Sequence, residues 1–111
     1  MTTTIETITT HQLREGDVIL NHGMRLRVDG EPRVSKAHPV DTDDPSRGHT
    51  VYYPALIENW DALVEASETD KWIAGFIVGL VRSDLREGRI TEPRWTIQGN
   101  GWARWAREVQ A

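Results

Sequence analysis

The part of this 111-residue chain that most constrains its fold is segment 13–30, whose pattern is that of two strands joined by a tight turn. Residues 18–20 are apolar, and in residues 24–29 every second residue is apolar while those between are charged. Alternation with a period of two puts apolar side chains on one face of a strand and charges on the other. Asn21 and Gly23, between the two runs, tolerate the positive φ angles of hairpin turns. We therefore predict a β-hairpin here.

Two further segments, residues 50–58 and 72–81, fit the periodicity of a strand and of a helix alike. Aromatic and β-branched residues in the first favour a strand. The second contains two glycines, each of which costs about 1 kcal/mol relative to alanine in a helix. We predict strands for both, with a loop or a short acidic helix over residues 61–68.

The two ends of the chain carry weaker patterns. Residues 1–10 are rich in threonine and predict either an edge strand or a frayed terminus. Residues 11–14 predict a single helical turn, and residues 94–98 predict a strand. In residues 102–109 large apolar side chains recur at spacings of three and four, which predicts a short helical turn.

Composition narrows the class of protein. The chain has no cysteine, which excludes disulfides and thiolate metal sites and fits a reducing compartment. No apolar run approaches the roughly 20 residues of a membrane span, and the N-terminus lacks a signal-peptide pattern. We therefore expect a soluble cytoplasmic protein with no membrane contact. Its net charge of −4 disfavours non-specific binding to nucleic acid.

Short motifs in the chain resemble known groups of proteins. The sequence LREGDVI, followed by a turn and RLRV, is similar to the opening of many SH3-like β-barrels. Together with RWTIQGN and ARWA near the other end, it resembles a group of small uncharacterised proteins encoded by phages of actinobacteria, mycobacteriophages among them. This resemblance implies a phage accessory protein in the cytoplasm of a bacterial host. It implies no particular chemistry.

These patterns together predict a single domain over residues 1–111 with a mostly β fold. We expect a small SH3-like β-barrel with long loops and a short C-terminal helical turn. The alternative is an α+β fold with helices near residues 55–66 and 72–82.

A metal site is one functional hypothesis. Residues 37–49 form a predicted loop in which His38 and His49 bracket several aspartates, Asp43 among them. Two imidazoles and carboxylates are a ligand set that zinc or manganese accepts. A solvated polar loop explains the same residues without a metal.

Catalytic motifs are missing from the sequence. There is no cysteine nucleophile, no Gly-x-Ser-x-Gly, no P-loop and no dinucleotide-binding glycine pattern. We therefore predict that the protein is not an enzyme and needs no cofactor.

Tryptophan and arginine residues are the candidate binding groups. The chain has five tryptophans, and its last third is rich in arginine. These residue types dominate protein–protein hot spots and also form stacking platforms for single-stranded nucleic acid. The candidate binding residues are Trp60, Arg94, Trp102, Arg104 and Arg107.

Three functions follow from these candidates. The first is a non-enzymatic phage binding module that engages a bacterial host protein or itself. The second is nucleic-acid binding through the arginine- and tryptophan-rich last third. The third is a metal-dependent enzyme at the histidine and aspartate loop.

Overall fold

A computed structural model of the protein describes residues 3–34, 50–99 and 103–110, which form one antiparallel sheet with a helical layer against it. The strands are β1 (Thr3–Thr9), β2 (Val18–Asn21), β3 (Met24–Val28), β4 (Arg33–Val34), β5 (Val51–Ile57), β6 (Arg94–Gly99) and β7 (Arg104–Gln110). The helical segments are α1 (Trp60–Ala66), α2 (Lys71–Ile73), a π-helical turn (Ala74–Val78) and α3 (Gly79–Arg86). The prediction of a mostly β fold is confirmed.

The sheet is open in the described part of the chain. Its order is β1-β7-β2-β3-β5, with the short β4 following β3 along one side of β5 and β6 pairing with the other side. Strands β1 and β6 therefore lie at the two free edges. No strand of the described chain joins these edges to close a barrel.

The predicted hairpin is confirmed as β2 and β3, which pair from Val18 opposite Arg27 to Asn21 opposite Met24. His22 (φ 52°) and Gly23 (φ 82°) form its turn, and two consecutive positive φ angles match the twist of the flanking strands. The sequence indicated Asn21 rather than His22 for the first of these positions. The side chain of Asn59 holds the turn, because its amide donates to the Gly23 carbonyl at 2.8 Å and its oxygen accepts from the Arg25 N–H at 2.9 Å.

One face of the sheet forms the core together with the helical layer. Alternate residues of the central strands point to this inner face and are buried, and Leu63, Ile77, Val78 and Val81 of the helices pack against them. The sheet residues of this core are Ile8, Ile19, Met24, Leu26, Val28, Val51, Tyr53, Ala55, Ile57 and Ile97.

A 3₁₀ turn at Thr10–Gln12 joins this core, close to the helical turn predicted for residues 11–14. The Tyr53 hydroxyl donates to the Thr10 carbonyl at 3.1 Å, and the Trp105 indole donates to the Thr10 hydroxyl at 3.0 Å. Burial raises the pKa of Tyr53. These bonds satisfy the polar groups of three residues that the fold draws inside.

The strand predicted for residues 72–81 is wrong, because the chain there is helical from Lys71–Ile73 through Gly79–Arg86 without a break. We call this element the 71–86 helix. The Asp70 carboxylate caps it by accepting from the Trp72 and Ile73 N–H groups at 3.0 and 3.1 Å. Burial of Ile77, Val78 and Val81 outweighs the helix cost of the glycines. This helix matches the second helix of the alternative α+β prediction.

The helical turn predicted within residues 102–109 is also wrong, since β7 covers Arg104–Gln110. Strand β7 pairs with β1 on one side and with β2 on the other. Two sets of ladder hydrogen bonds stabilise an extended backbone that the local spacing alone does not favour.

Four further segment predictions agree with the structure, while the loop predicted for residues 37–49 lies outside the described residues. Residues 50–58 contain β5, residues 94–98 lie in β6, and residues 1–10 contain the edge strand β1. The short acidic helix predicted within residues 61–68 is α1. No helix in the described part of the chain has both the length and the hydropathy of a membrane span.

Candidate interaction surface

The most exposed apolar side chains of the 71–86 helix form a row on its outer side. Trp72 is 45% exposed, Phe76 is 61% exposed and Leu80 is 53% exposed. Their neighbours Ile77, Val78 and Val81 are buried in the core, so the helix is apolar on two sides. We call Trp72, Phe76 and Leu80 the ridge.

The π-helical turn aligns the ridge. In an α-helix, residues four apart are offset around the axis, because 3.6 residues complete a turn. A π turn closes its hydrogen bonds over one more residue and so rotates each residue less. Ala74–Val78 are in π geometry, so the smaller rotation per residue there offsets the angle by which Trp72 and Leu80 would be displaced around the axis of an α-helix. The three side chains therefore lie closer to one line than in a regular α-helix.

Two glycines lie beside the ridge and leave the helix backbone uncovered. A Cβ on Gly75 would meet no described atom within 4 Å outside the helix's own backbone. A Cβ on Gly79 would lie 2.8 Å from the Ala74 carbonyl oxygen, the acceptor of the Gly79 N–H in the π turn. Gly79 is thus required by the π geometry, and both glycines allow another backbone to approach closely.

The ridge is tied to the sheet at its N-terminal end. The His22 ring at the tip of the hairpin lies 5.0 Å from the Trp72 ring, centroid to centroid. The Trp72 and Phe76 rings are 5.7 Å apart. These tilted aromatic contacts orient Trp72 and leave Phe76 and Leu80 as the more exposed members.

A cleft of about 560 Å³ lies between the 71–86 helix and the free edge of β6. Its apolar walls include Leu80, Val81, Ile90, Trp95, Ile97 and Trp105. Its charged lining groups are engaged elsewhere: Arg94 donates twice to Asp29 at 2.6 Å, and Asp84 accepts from Arg89 at 2.7 Å. The cleft is large enough for a small molecule but offers it few unengaged polar groups.

The predicted binding residues that the structure describes lie on three separate elements. Trp60 begins α1 and packs, half buried, against the core. Arg94 lies in β6, while Arg104 and Arg107 lie in β7, which does not pair with β6. Trp102 lies outside the described residues.

Ion pairs engage much of the predicted basic surface. Arg107 donates through Nε to Glu6 at 2.7 Å and through Nη1 to Asp17 at 3.2 Å. The hydrogen bond to Glu6 is the main cause of the raised pKa of Arg107. Of the six arginines from residue 82 onward, Arg89, Arg94 and Arg107 are in ion pairs.

The hairpin holds a second ion pair, on the outer face of the sheet. Arg25 donates to the Glu108 carboxylate through Nε at 3.0 Å and through Nη2 at 2.7 Å. Its Nη1 also donates to Glu58 at 2.6 Å. The hydrogen bond from Arg25 lowers the pKa of Glu108. This pair joins β3 to β7 across β2.

Exposed charges with no ion pair in the described chain come before and after the ridge in the sequence. Before it, the exposed carboxylates of Asp61, Glu65 and Glu68 form no ion pair with any described residue. After it, the exposed guanidinium groups of Arg82 and Arg86 likewise lack a carboxylate partner in the described chain.

The metal hypothesis concerns His38, Asp43 and His49, and all three lie outside the described residues. Among residues 3–34, 50–99 and 103–110, no group of three or more histidine, aspartate or glutamate side chains could hold a metal ion.

The sequence contained a signal for the ridge. Trp72, Phe76 and Leu80 follow one another at intervals of four, and Asp70 stands where a helix cap belongs. The glycine content of the segment concealed this signal, because glycine penalties favoured a strand.

Comparisons with protein-family models, with curated proteins and with solved structures find no match to this chain. Its site is therefore interpreted from the geometry alone.

Proposed function

We propose that the protein is a non-enzymatic binding module that engages another protein chain through the ridge. The observation that carries this proposal is the exposure of Trp72, Phe76 and Leu80 in one row on a well-packed helix. Contiguous exposed apolar groups are typical of interaction sites on folded domains.

The helix has a buried side that packs on the sheet without Phe76 and Leu80, the two most exposed members of the ridge. Ile77, Val78 and Val81 already supply the buried side of the 71–86 helix. Exposing a tryptophan, a phenylalanine and a leucine leaves apolar area in water that polar residues at these positions would avoid. Binding a partner recovers that area, and aromatic side chains are frequent hot spots of such interfaces.

The spacing of the ridge also indicates the form of the partner. Anchors at i, i+4 and i+8 are how an amphipathic helix presents itself to an apolar surface or to another helix. The uncovered backbone at Gly75 and Gly79 favours a second helix, because helix axes approach most closely where side chains are smallest.

Site-specific photo-crosslinking tests this proposal. Phe76 is replaced by p-benzoyl-phenylalanine, and Ile5, which is 52% exposed on the edge strand β1, is replaced in a matched control. The protein is irradiated in the cells that produce it, and adducts are resolved by mass. We expect a discrete adduct from position 76 that is absent from position 5. Equal diffuse labelling from both positions, or none, would overturn the proposal.

Nucleic-acid binding and metal-dependent catalysis are less well supported than this proposal. Binding a phosphate backbone needs several free cations on one surface. Three of the six arginines in the last third are engaged by carboxylates, which weakens the nucleic-acid hypothesis. The metal hypothesis concerns His38, Asp43 and His49 and stays a prediction from the sequence.

Two finer predictions from the sequence accompany the proposal. One is that the open sheet belongs to the SH3-like class, and the other is that the protein acts in a bacterial host's cytoplasm during phage infection. An experimental structure tests the first, and identifying the crosslinked partner tests the second.

A further inference from the structure

We propose that strand β1 pairs with β1 of a second copy of this protein, antiparallel and about a two-fold axis at Ile5. The surface is a free edge of the sheet, whereas the ridge lies on the 71–86 helix, so this inference goes beyond the proposed function. Two identical antiparallel strands form an interface in which both copies use the same surface. The two sheets then continue as one.

The backbone of β1 alternates between β7 and the free edge. The Thr10 N–H, one residue beyond β1, donates to the Ala103 carbonyl beside β7 at 3.1 Å. The Thr9 N–H donates instead to the Gln12 side chain at 2.9 Å. Because successive residues of a strand turn their N–H and C=O groups to opposite sides, every second residue of β1 faces away from β7, and no described strand pairs with that edge. Those residues are Thr3, Ile5 and Thr7.

The sheet is thin and exposed where β1 begins. All residues from Thr3 to Thr7 are exposed, so neither face of this stretch is covered. Strand β2 pairs with β7 at Ala106 and Arg107, while residues 108–110 pair only with β1 among the described strands. A ribbon of two strands is marginally stable in water, and further strands stabilise it. Pairing with a second copy supplies such a strand.

Strand β1 lacks the features that keep edge strands apart. Proteins protect a free edge with lysine, proline or a bulge. Strand β1 contains neither lysine nor proline, and its register with β7 runs from Thr3 to Thr9 without a bulge. Its one charged side chain, Glu6, accepts a hydrogen bond from Arg107 at 2.7 Å. The edge is therefore able to accept another strand.

The sequence of β1 is complementary to itself in one register. A two-fold axis at Ile5 puts Ile5 opposite its own copy and Thr3 opposite Thr7, and these residues all turn their backbone groups to the edge. Threonine opposite threonine is a stabilising cross-strand pair. Ile5, which is 52% exposed, buries apolar surface against its copy. An axis at Glu6 would instead put two carboxylates opposite each other, and an axis at Thr4 would shorten the ladder between described residues.

Sedimentation equilibrium of the purified chain tests for the second copy. We expect a monomer–dimer equilibrium that Ile5→Lys weakens at least about tenfold, because two like charges meet at the axis. The matched control is Leu20→Lys, since Leu20 is 39% exposed on β2, away from the edge. Circular dichroism checks that both variants fold. A chain that stays monomeric at every concentration, or an equal loss in the control, would overturn the inference.

Mixing opposite charges tests the position of the axis. Ile5→Lys and Ile5→Glu should each self-associate at least about tenfold more weakly than the unaltered chain. Their equimolar mixture should dimerise more tightly than either variant alone, because position 5 faces position 5 only when the axis passes through it. A mixture that associates no better than its components contradicts the proposed register.

Cysteine crosslinking tests the orientation, because the chain has no cysteine of its own. The Cα atoms of a hydrogen-bonded antiparallel pair lie about 5.5 Å apart, which a disulfide can span. Ile5→Cys alone should therefore form a disulfide between two chains. Thr7→Cys, on the same face, should form none alone but should form one when mixed with Thr3→Cys. A disulfide in Thr7→Cys alone would show parallel pairing and overturn the inference.

Failure of this inference is distinguishable from failure of the proposed function, because the two use different surfaces. A monomeric chain that still gives a discrete photo-adduct from position 76 overturns the pairing of β1 and keeps the ridge as a binding site. A dimer that Ile5→Lys dissociates, without an adduct from position 76, does the reverse. A photo-crosslinker at position 5 gives an adduct of twice the chain mass, which mass separates from the partner adduct of position 76.

Discussion

The hairpin of β2 and β3 and the 71–86 helix are both rich in apolar residues, yet they place them differently. In the hairpin, Met24, Leu26 and Val28 are buried, and the residues between them are charged. In the helix, the apolar residues divide between the core and the ridge, which faces water. Every apolar side chain of β3 is buried in the core, whereas three large apolar side chains of the helix are exposed.

This difference separates folding from function. Apolar residues buried in the sheet are explained by stability, because burial removes them from water. Apolar residues exposed in a row on the helix are not explained in that way. Substitutions in the two regions should therefore change different measurements.

The largest expected effect is the loss of a core side chain from the hairpin. Leu26 is fully buried, so Leu26→Ala should lower the free energy of unfolding by about 2–5 kcal/mol. Phe76→Ala, on the ridge, should change it by less than about 0.5 kcal/mol. Urea unfolding followed by circular dichroism, at a concentration where the chain is monomeric, measures both. Equal losses would mean that the ridge belongs to the core.

A smaller loss of stability is expected at the ion pair between Asp29, which follows β3, and Arg94 of β6. Asp29 accepts two 2.6 Å hydrogen bonds from Arg94, and both side chains are partly buried. Asp29→Ala should therefore lower the free energy of unfolding by about 1–2 kcal/mol. Glu92, more exposed and 3.3 Å from the same guanidinium, is the control. If Glu92→Ala costs as much, the partly buried pair has no special weight.

The two helix glycines should respond in opposite directions. A Cβ at Gly75 meets open space, so Gly75→Ala should raise the free energy of unfolding by about 0.5–1 kcal/mol. A Cβ at Gly79 would lie 2.8 Å from the Ala74 carbonyl oxygen, so Gly79→Ala should lower it by about 1 kcal/mol. Thermal unfolding of both variants measures the contrast. Stabilisation by both would show that the π turn is absent in solution.

The smallest effect concerns the pH dependence of the hairpin. The hydrogen bond from Arg25 lowers the pKa of Glu108 from its ordinary value of 4.5. The folded state therefore binds fewer protons than the unfolded state below that pH, and stability falls as the pH drops through the folded pKa. We expect Glu108→Gln to remove up to about 1 kcal/mol of the stability present at pH 7 and to flatten its decline below pH 4.5. An unchanged acid titration of stability would contradict this role.

Local patterns predicted the elements whose own residues carry a clear strand or turn pattern. The hairpin followed from alternation and from Gly23, and a strand was predicted over residues 94–98, where β6 lies. The 71–86 helix and β7 were predicted wrongly, because tertiary contacts decide both of them. Core packing of Ile77 and Val78 outweighs glycine propensity, and ladders to β1 and β2 outweigh a helical spacing.

The site was harder to predict than the fold. Arginine and tryptophan residues were predicted to bind a partner because of their residue types. No sequence rule showed that Arg94 and Arg107 would be engaged by distant carboxylates. The ridge required the right secondary structure first. Once residues 72–81 are helical, a spacing of four places their large side chains in a row.

The position of β7 between β1 and β2 bears on how the chain folds during synthesis. Strands β1 and β2 emerge from the ribosome early, but the strand that separates and pairs with both is the last element of the described chain to appear. Until then β1 has no partner among the described strands, and its edge is open to other nascent chains. The sheet is therefore completed only after most of the chain has been made, and pairings between such distant segments are slow.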